Sequence, residues 1–262
     1  MPLVLPLTRR FLNSLKDNIM LSGAILLHDH DVLTTVDSAV TSLPPHPFGT
    51  LGVTRDGRAY RYGSAGALAL APGMLAVAAA QTATHENCAV NAAAAAGTRE
   101  VSLTLGAGAV TANQYAGGYL VVNDAAGEGR LYAISGHPAA DASASLTVAL
   151  DQEIAVALTT SSEVSLVLNP WSGAVIAVTD QLDMPVGVPN VTIPANDFGW
   201  IQTRGACAVL ADETLAIGVS VTTGTSVAGA VEAVDAVSEP LVGIALQAGV
   251  DTEYRAIYLQ ID

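Results

Sequence analysis

The chain holds a single lysine, Lys16, and only ten basic residues in all against 24 acidic ones, a net charge of −14. Nucleic-acid binding rests on Lys and Arg displacing the counterions of the phosphate backbone, so no nucleic-acid partner is expected. Anionic membrane surfaces are disfavoured for the same reason. Charged residues make up 13%, about half the share usual in a soluble domain. Less of the surface therefore has to stay in water, and the expectation is a subunit whose surface is covered by neighbours, as in an assembly protein. Cysteine is confined to Cys88 and Cys207, too few for a disulfide framework and at no metal-binding spacing; two buried, reduced thiols are expected. No apolar run reaches the eighteen or so residues of a membrane span, since Gly66, Pro72 and Gly73 break the nearest one, 65–80. The run 19–27 (IMLSGAILL) leads straight into His28-Asp-His-Asp31 with no small-residue cleavage site, and is not read as a secretion signal.

Alanine, valine, leucine and 24 glycines fill the space left by the missing charge and aromatics. From Thr98 onward, apolar residues alternate with polar ones: Val101, Leu103, Leu105; Leu146, Val148, Leu150; Ile154, Val156, Leu158; Val164, Leu166, Leu168; Leu215, Ile217, Val219, Val221; then 254–261. Each run is bounded by turn formers at intervals near ten residues, the pattern of an all-β sandwich or barrel. Length allows two modest cores, and Asp183-Met-Pro-Val-Gly-Val-Pro-Asn190 reads as a linker between them. The expected organisation is all-β: two small β-barrel or β-sandwich domains, 49–184 and 185–262, behind an extended N-terminal arm, 1–48. Within the arm, Phe11, Leu12, Leu15 and Ile19 stand at helical spacing, and Leu43-Pro-Pro-His-Pro-Phe-Gly49 closes it as a stiff extended piece. Such arms reach onto neighbours. Asp56-Gly57, between short alternating runs, predicts a hairpin with a type I′ turn. The Ala-rich stretch 65–96 contains a Leu70-Ala-Pro-Gly73 turn.

Few residues suggest chemistry. His28 and His30 would share one strand face and present two imidazoles to a metal, but no third ligand lies near in sequence, and a solvated turn is preferred. His85 and Cys88 lie together without an orienting acid, which favours local packing. Asn123-Asp124-Ala-Ala-Gly127-Glu128-Gly129 lacks the alternating carboxylates of a calcium loop and falls where a hairpin turn is expected. Gly106-Ala-Gly108 is not a nucleotide fingerprint, and no nucleophile elbow or P-loop occurs. No catalytic, metal-binding or cofactor-binding residue is assigned. Arg55, Arg58 and Arg61 flank the hairpin as a small basic face, expected to pair with carboxylates of another subunit.

One pattern occurs twice. Thr111-Ala-Asn-Gln-Tyr-Ala-Gly-Gly-Tyr-Leu120 and Ile193-Pro-Ala-Asn-Asp-Phe-Gly-Trp-Ile201 share Ala-Asn, a polar residue, an aromatic, glycine and a second aromatic. Asn113 and Asn196 are expected to turn the chain, their side chains bonding nearby backbone. Tyr115 and Phe198 are expected to cover one end of a core, and Tyr119 and Trp200 to start strands. The repetition fits either an internal duplication or a reused strand-entry device.

The run Phe48-Gly-Thr-Leu-Gly-Val-Thr-Arg-Asp-Gly-Arg-Ala-Tyr-Arg-Tyr-Gly63, followed by the Pro72-Gly73 turn, resembles the opening of structural proteins encoded beside the major capsid protein in tailed bacteriophages. Phe198-Gly-Trp-Ile-Gln202 and Leu241-Val-Gly-Ile-Ala-Leu-Gln-Ala-Gly249 resemble the terminal β domain of phage capsid decoration (cement) proteins. The resemblance covers 48–262 and carries no catalytic residues. It implies a non-enzymatic virion protein on the outer capsid surface, which binds the major capsid protein, bridges neighbouring capsomers and self-associates, commonly as a homotrimer. The alternative is a head-fibre or tail receptor-binding β protein of the same particle that recognises a host glycan. A polysaccharide-active enzyme would need two carboxylates in a cleft, and nothing in the sequence points to them.

Overall fold

A computed structural model describes residues 24–28, 32, 36–37, 45–179 and 183–262. Phe11, Leu12, Leu15 and Ile19, and most of the expected arm, lie outside the described residues. What is described is all-β. In chain order, β1 (Ile25–Leu26), β2 (Val36–Asp37), β3 (Leu51–Val53), β4 (Ala59–Ser64) and β5 (Ala76–Val77) come first. They are followed by β6 (Cys88–Ala89), β7 (Glu100–Thr104), β8 (Tyr119–Asp124), β9 (Leu131–Gly136), β10 (Ser145–Leu150) and β11 (Glu163–Val167). The chain ends with β12 (Val175–Ile176), β13 (Pro185–Pro189), β14 (Phe198–Leu210), β15 (Ser220–Thr223), β16 (Val231–Ala233), β17 (Gly243–Ala245) and β18 (Tyr254–Gln260).

These strands form two compact units, one continuous (Ala79–Pro170) and one discontinuous (Met1–Ala78 with Trp171–Asp262). The first unit is thus inserted into the second, a division different from the expected 49–184 and 185–262. The expected linker is β13, all five of whose residues are buried. Its would-be breakers sit where a strand tolerates them. Pro185 and Pro189 occupy its two ends, and Gly187, at φ 137°, takes the register shift between Pro185 and the Gly187–Ala76 pair.

The continuous unit is a six-stranded antiparallel sheet in the order β6-β11-β8-β9-β10-β7, and a bridge from Val90 to Leu103 brings its ends together into a nearly closed barrel. Alternation fills it: Val101 and Leu103, Leu120 and Val122, Tyr132 and Ile134, Leu146 and Val148, and Val164 and Leu166 all point inward, with Cys88 from β6. The run 154–158 is not a strand. Ile154 and Leu158 are buried and meet the 94–98 segment only at separate points, Ile154 N–H to Thr98 O at 2.8 Å and a Leu158–Ala94 bridge.

In the discontinuous unit the main path is β1-β3-β4-β14-β18-β17-β15-β16, with β12, β5 and β13 joined through β14. Its largest core lies under β14 and β18, where Cys207, Val209, Ile257 and Leu259 are buried. The expected strand 215–221 begins only at Ser220, because 216–219 form a turn about Gly218 (φ 83°) that leaves Ile217 exposed. The hairpin joins β3 to β4 as predicted, but by a different turn. Gly57 N–H bonds Thr54 O (3.0 Å) and Thr54 N–H bonds Arg58 O (3.0 Å), and of the Asp-Gly pair only Gly57 has positive φ. This is a three-residue loop, a type I turn closed by a left-handed glycine.

One turn prepares half of the strands. The fourth residue's N–H bonds the first residue's carbonyl, and the third residue has φ near +60° to +90°, a type II geometry. It precedes β14 with Asn196 (φ 63°), β10 with Ser143 (60°), β18 with Thr252 (62°), and β3, β5, β7, β8, β15 and β16 with glycines. The third residue's own N–H then reaches another segment, as in Asn196 to Gly66 O at 2.9 Å. Asn113 (φ 60°) makes the same turn and bonds His137 O at 3.0 Å. Because Gly, Ser and Thr serve as well, the shared Ala-Asn reflects this reused device and requires no duplication.

Candidate functional site: an uncharged sheet face and an open strand edge

The two echo segments part after their asparagines. The Asn196 turn delivers Phe198 directly as the first residue of β14, with Trp200 third. After Asn113 a second turn, about Gly117 (φ 74°), intervenes before Tyr119 opens β8. Trp200 is 4% exposed and lies in its own unit's core with Tyr60, Tyr62 and Leu27, edge-on to Tyr62 at 5.2 Å, and Phe198 covers that cluster's side. Contrary to the expectation that it would bond nearby backbone, the Asn113 side chain accepts the N–H of His137, 24 residues on, at 3.1 Å.

Tyr115 is wholly buried, its hydroxyl 2.6 Å from Nδ1 of His85. His85 Nε2 faces Gly108 O at 3.1 Å and so carries the proton, leaving Nδ1 to accept. His137 Nε2 accepts the Tyr115 N–H (3.0 Å), so its Nδ1 donates to Pro138 O (2.9 Å). Both rings are thus held in one tautomer by structural bonds, and burial pushes the Cys88 thiol up, away from thiolate reactivity. Gly106 and Gly108 exist for close approach, since a Cβ on either would collide with Thr84. The 123–129 segment is the β8–β9 hairpin turn, Gly129 N–H bonding Val122 O at 2.9 Å. His28 is exposed and His30 lies outside the described residues, among which no group of three or more His, Cys, Asp or Glu is placed to hold a metal. Both cysteines are free and buried.

The three arginines do not form one basic face. Arg55 is exposed at the turn. Arg58 lies along the Tyr60 side of β4, with Nε donating to Asp56 at 2.7 Å and Nη1 to the Tyr60 hydroxyl at 3.0 Å. Arg61 points to the opposite side, bonded to Asp262 at 2.5 Å and to Gly49 O at 2.9 Å, its guanidinium 5.3 Å from the Trp171 ring. For Arg58 and Arg61 the carboxylates expected from another subunit are supplied here by this chain.

The feature with an outward aim is one that residue-by-residue inspection of the sequence passed over. β14 and β18 pair Ala206 with Tyr258, Ala208 with Ala256 and Leu210 with Tyr254, and β17 adds Ile244 opposite Tyr258. Their alternate residues form the buried core, so these side chains share the outer face. Tyr254 is 51% exposed, Leu246 47% and Tyr258 38%. On a chain of net charge −14, the only charge on this lattice is Arg204, at its end. The run of small uncharged residues Gly205-Ala-Cys-Ala-Val209 opposite Tyr254-Arg-Ala-Ile-Tyr258 held this signal.

At the edge of the face is a cleft of about 510 Å³, lined by Arg58, Pro72, Gly73, Asn190, Gln202, Ala206, Cys207, Ala208 and Tyr254. It exists because β4 stops pairing with β14 at Ala59–Arg204, whereas the next contact on that edge is Leu210 N–H to Gly73 O at 2.9 Å. Gln202 is fully buried at its floor. Its amide donates to the carbonyls of Arg204 (3.1 Å) and Ala206 (3.0 Å) and accepts from Tyr60 (3.2 Å) and Asn190 (3.1 Å). Burial pushes Tyr60 up to about 12 and Cys207 up to about 12, so both stay protonated and neutral at ordinary pH. Tyr254 is held by Gly73, whose missing Cβ would lie 2.6 Å from the ring. No family model matches this chain, and neither a curated protein nor a solved structure does.

Proposed function

We propose that the chain is a virion structural protein of a tailed bacteriophage, a decoration (cement) subunit that binds the outer capsid shell and bridges neighbouring capsomers. The observation that carries this reading is the uncharged outer face of β14, β18 and β17. Contiguous exposed apolar surface is costly to leave in water and marks a surface meant to be covered. Low charge and the sequence resemblance over 48–262 support the same reading. The shell then gains stability from apolar area buried across capsomer boundaries, and no chemical step is required.

Co-sedimentation of the purified chain with undecorated capsids, with light scattering for its oligomeric state, tests this. Stoichiometric binding is expected. Tyr258→Glu, at an exposed position, is expected to weaken it at least roughly ten-fold, since the new carboxylate would have to be buried unpaired. Deleting residues 1–40 is expected to lower occupancy, as an arm anchored on a neighbour requires. A chain that ignores capsids but binds host glycans would overturn the reading in favour of a fibre or tail component.

A further inference from the structure

The cleft beside Ala208 is a gap in a sheet, and what borders it is main chain. Along β14, Thr203 O accepts Ile261 N–H (3.1 Å) and Ala211 N–H donates to Glu253 O (3.0 Å). From Thr203 onward, past the bulge at 202–204, odd-numbered residues therefore turn their peptide groups to β18, and even-numbered ones to the opposite edge, as Leu210 does toward Gly73. On that edge Arg204 still pairs with Ala59 of β4, and its carbonyl and that of Ala206 are taken by Gln202. Opposite Ala208, no strand lies among the described residues. Its carbonyl takes a hydrogen bond only from the Cys207 thiol at 3.6 Å, a weak donor, and lies beside Gly73, where a Cβ would come within 3.2 Å of it. A short stretch of strand edge, with N–H and C=O directed into a cleft, is the template that an added strand uses. The exposed ring of Tyr254, fixed on Gly73, walls one side and offers a surface for a side chain of the incoming segment.

We propose that this edge receives a short extended segment of another polypeptide, added as a strand in the gap between β4 and the 71–74 turn. This rests on the reading of the adjoining face as an interface and names what its cleft takes. A main chain is the matching ligand because it offers an acceptor and a donor at strand spacing. The lining carries no carboxylate and one cation, already bonded to Asp56, which is a poor site for a phosphate-rich ligand.

The test is amide exchange at Ala208, followed by NMR in the free chain and with a strand probe, an end-blocked hexapeptide of alternating valine and threonine. In the free chain Ala208 is expected to exchange fast while Cys207 and Val209, bonded to β18, are protected. Adding the peptide should slow Ala208 and shift the resonances of 206–208 and Gly73. Replacing the peptide's central amide by an ester should weaken binding about five-fold, the loss of one hydrogen bond. Ala208→Pro removes the N–H where no β18 bond uses it, which a strand edge tolerates, and should abolish the effect. Slow exchange of Ala208 in the free chain, or protection that grows with protein concentration alone, would overturn the proposal, because the edge would be filled by this chain or its own copy. So would no response to the peptide at millimolar concentration. None of these arms uses capsids, so the capsid reading can fail while this one stands, and the reverse.

Discussion

The continuous and discontinuous units solve the same problem, burying aliphatic alternation between strands, with different connectivity. In the barrel of Ala79–Pro170 each strand finds its partners within the same ninety or so consecutive residues, and its core is nearly all aliphatic apart from the His85–Tyr115–His137 bonds. In the other unit β14 pairs with β4 from one side of the insertion and β18 from the other. β4 leaves its edge of β14 at Arg204, well before the next contact on that edge, Leu210 N–H to Gly73 O, and the gap must be managed with a buried polar side chain, Gln202. The difference teaches that the place where long-range pairing is incomplete is also the place with groups left to bind something else.

The largest test of this contrast is excision. Residues 79–170 alone are expected to keep their sheet and unfold cooperatively in urea, because all their ladder partners are present. Residues 171–262 alone, deprived of β4 and β5, are expected to show no cooperative transition by far-UV circular dichroism. If both fragments fold, the contrast fails.

Next come core substitutions in the full chain. Leu166→Ala in the barrel is expected to cost about 3 kcal/mol in denaturant unfolding, transfer plus cavity. Gln202→Ala should cost a similar amount, about 3 kcal/mol, for a different reason: it strands the Arg204 and Ala206 carbonyls and the Tyr60 and Asn190 donors together. Gln202→Glu, which cannot donate to those carbonyls, should rescue little.

The two asparagine turns give a smaller and sharper comparison. Asn196→Ala is expected to lose about 1 kcal/mol because a Cβ-bearing, non-Asn residue is strained at φ 63°, whereas Asn196→Gly should be near neutral. Asn113→Gly relieves the same strain but also loses the bond to His137 N–H, so it should still cost about 1 kcal/mol. Equal effects at both sites would show that the side-chain bond contributes nothing.

A last effect appears only at high pH. Tyr60 is pushed up from 10 to about 12 and Cys207 from 9 to about 12, both chiefly by burial. The folded state holds these protons while the unfolded chain releases them, so their contribution is complete below pH 9 and is lost as pH rises toward 12. Urea midpoints should fall over that window, and less so in Tyr60→Phe. Alkylation of Cys207 at pH 8 should proceed only on unfolding.

Much of this was legible in order along the chain. The alternation at Val101–Leu103, Leu146–Val148 and 254–261 announced β7, β10 and β18, because period two places one face inward whichever strand lies beside it. The run 154–158 has the same alternation and became irregular, since its neighbour contacts it only at two points. Pro185, Gly187 and Pro189 looked like a linker because their backbone limits are local, yet ends and bulges of a buried strand satisfy those limits. Arg61 could not be assigned its partner from sequence, as Asp262 lies two hundred residues away, whereas Arg58 pairs with Asp56 only two residues off.

The sequence by itself determined the all-β character and the strand-entry turns. Both follow from local rules: side-chain alternation and tolerance of positive φ. Only the tertiary structure decided that one unit is inserted within the sequence of the other, that Trp200 covers its own core, and that no described strand lies opposite Ala208. Those depend on which distant strands meet along β14 and where each stops, and a one-dimensional pattern records which face a residue takes but not what lies beside it.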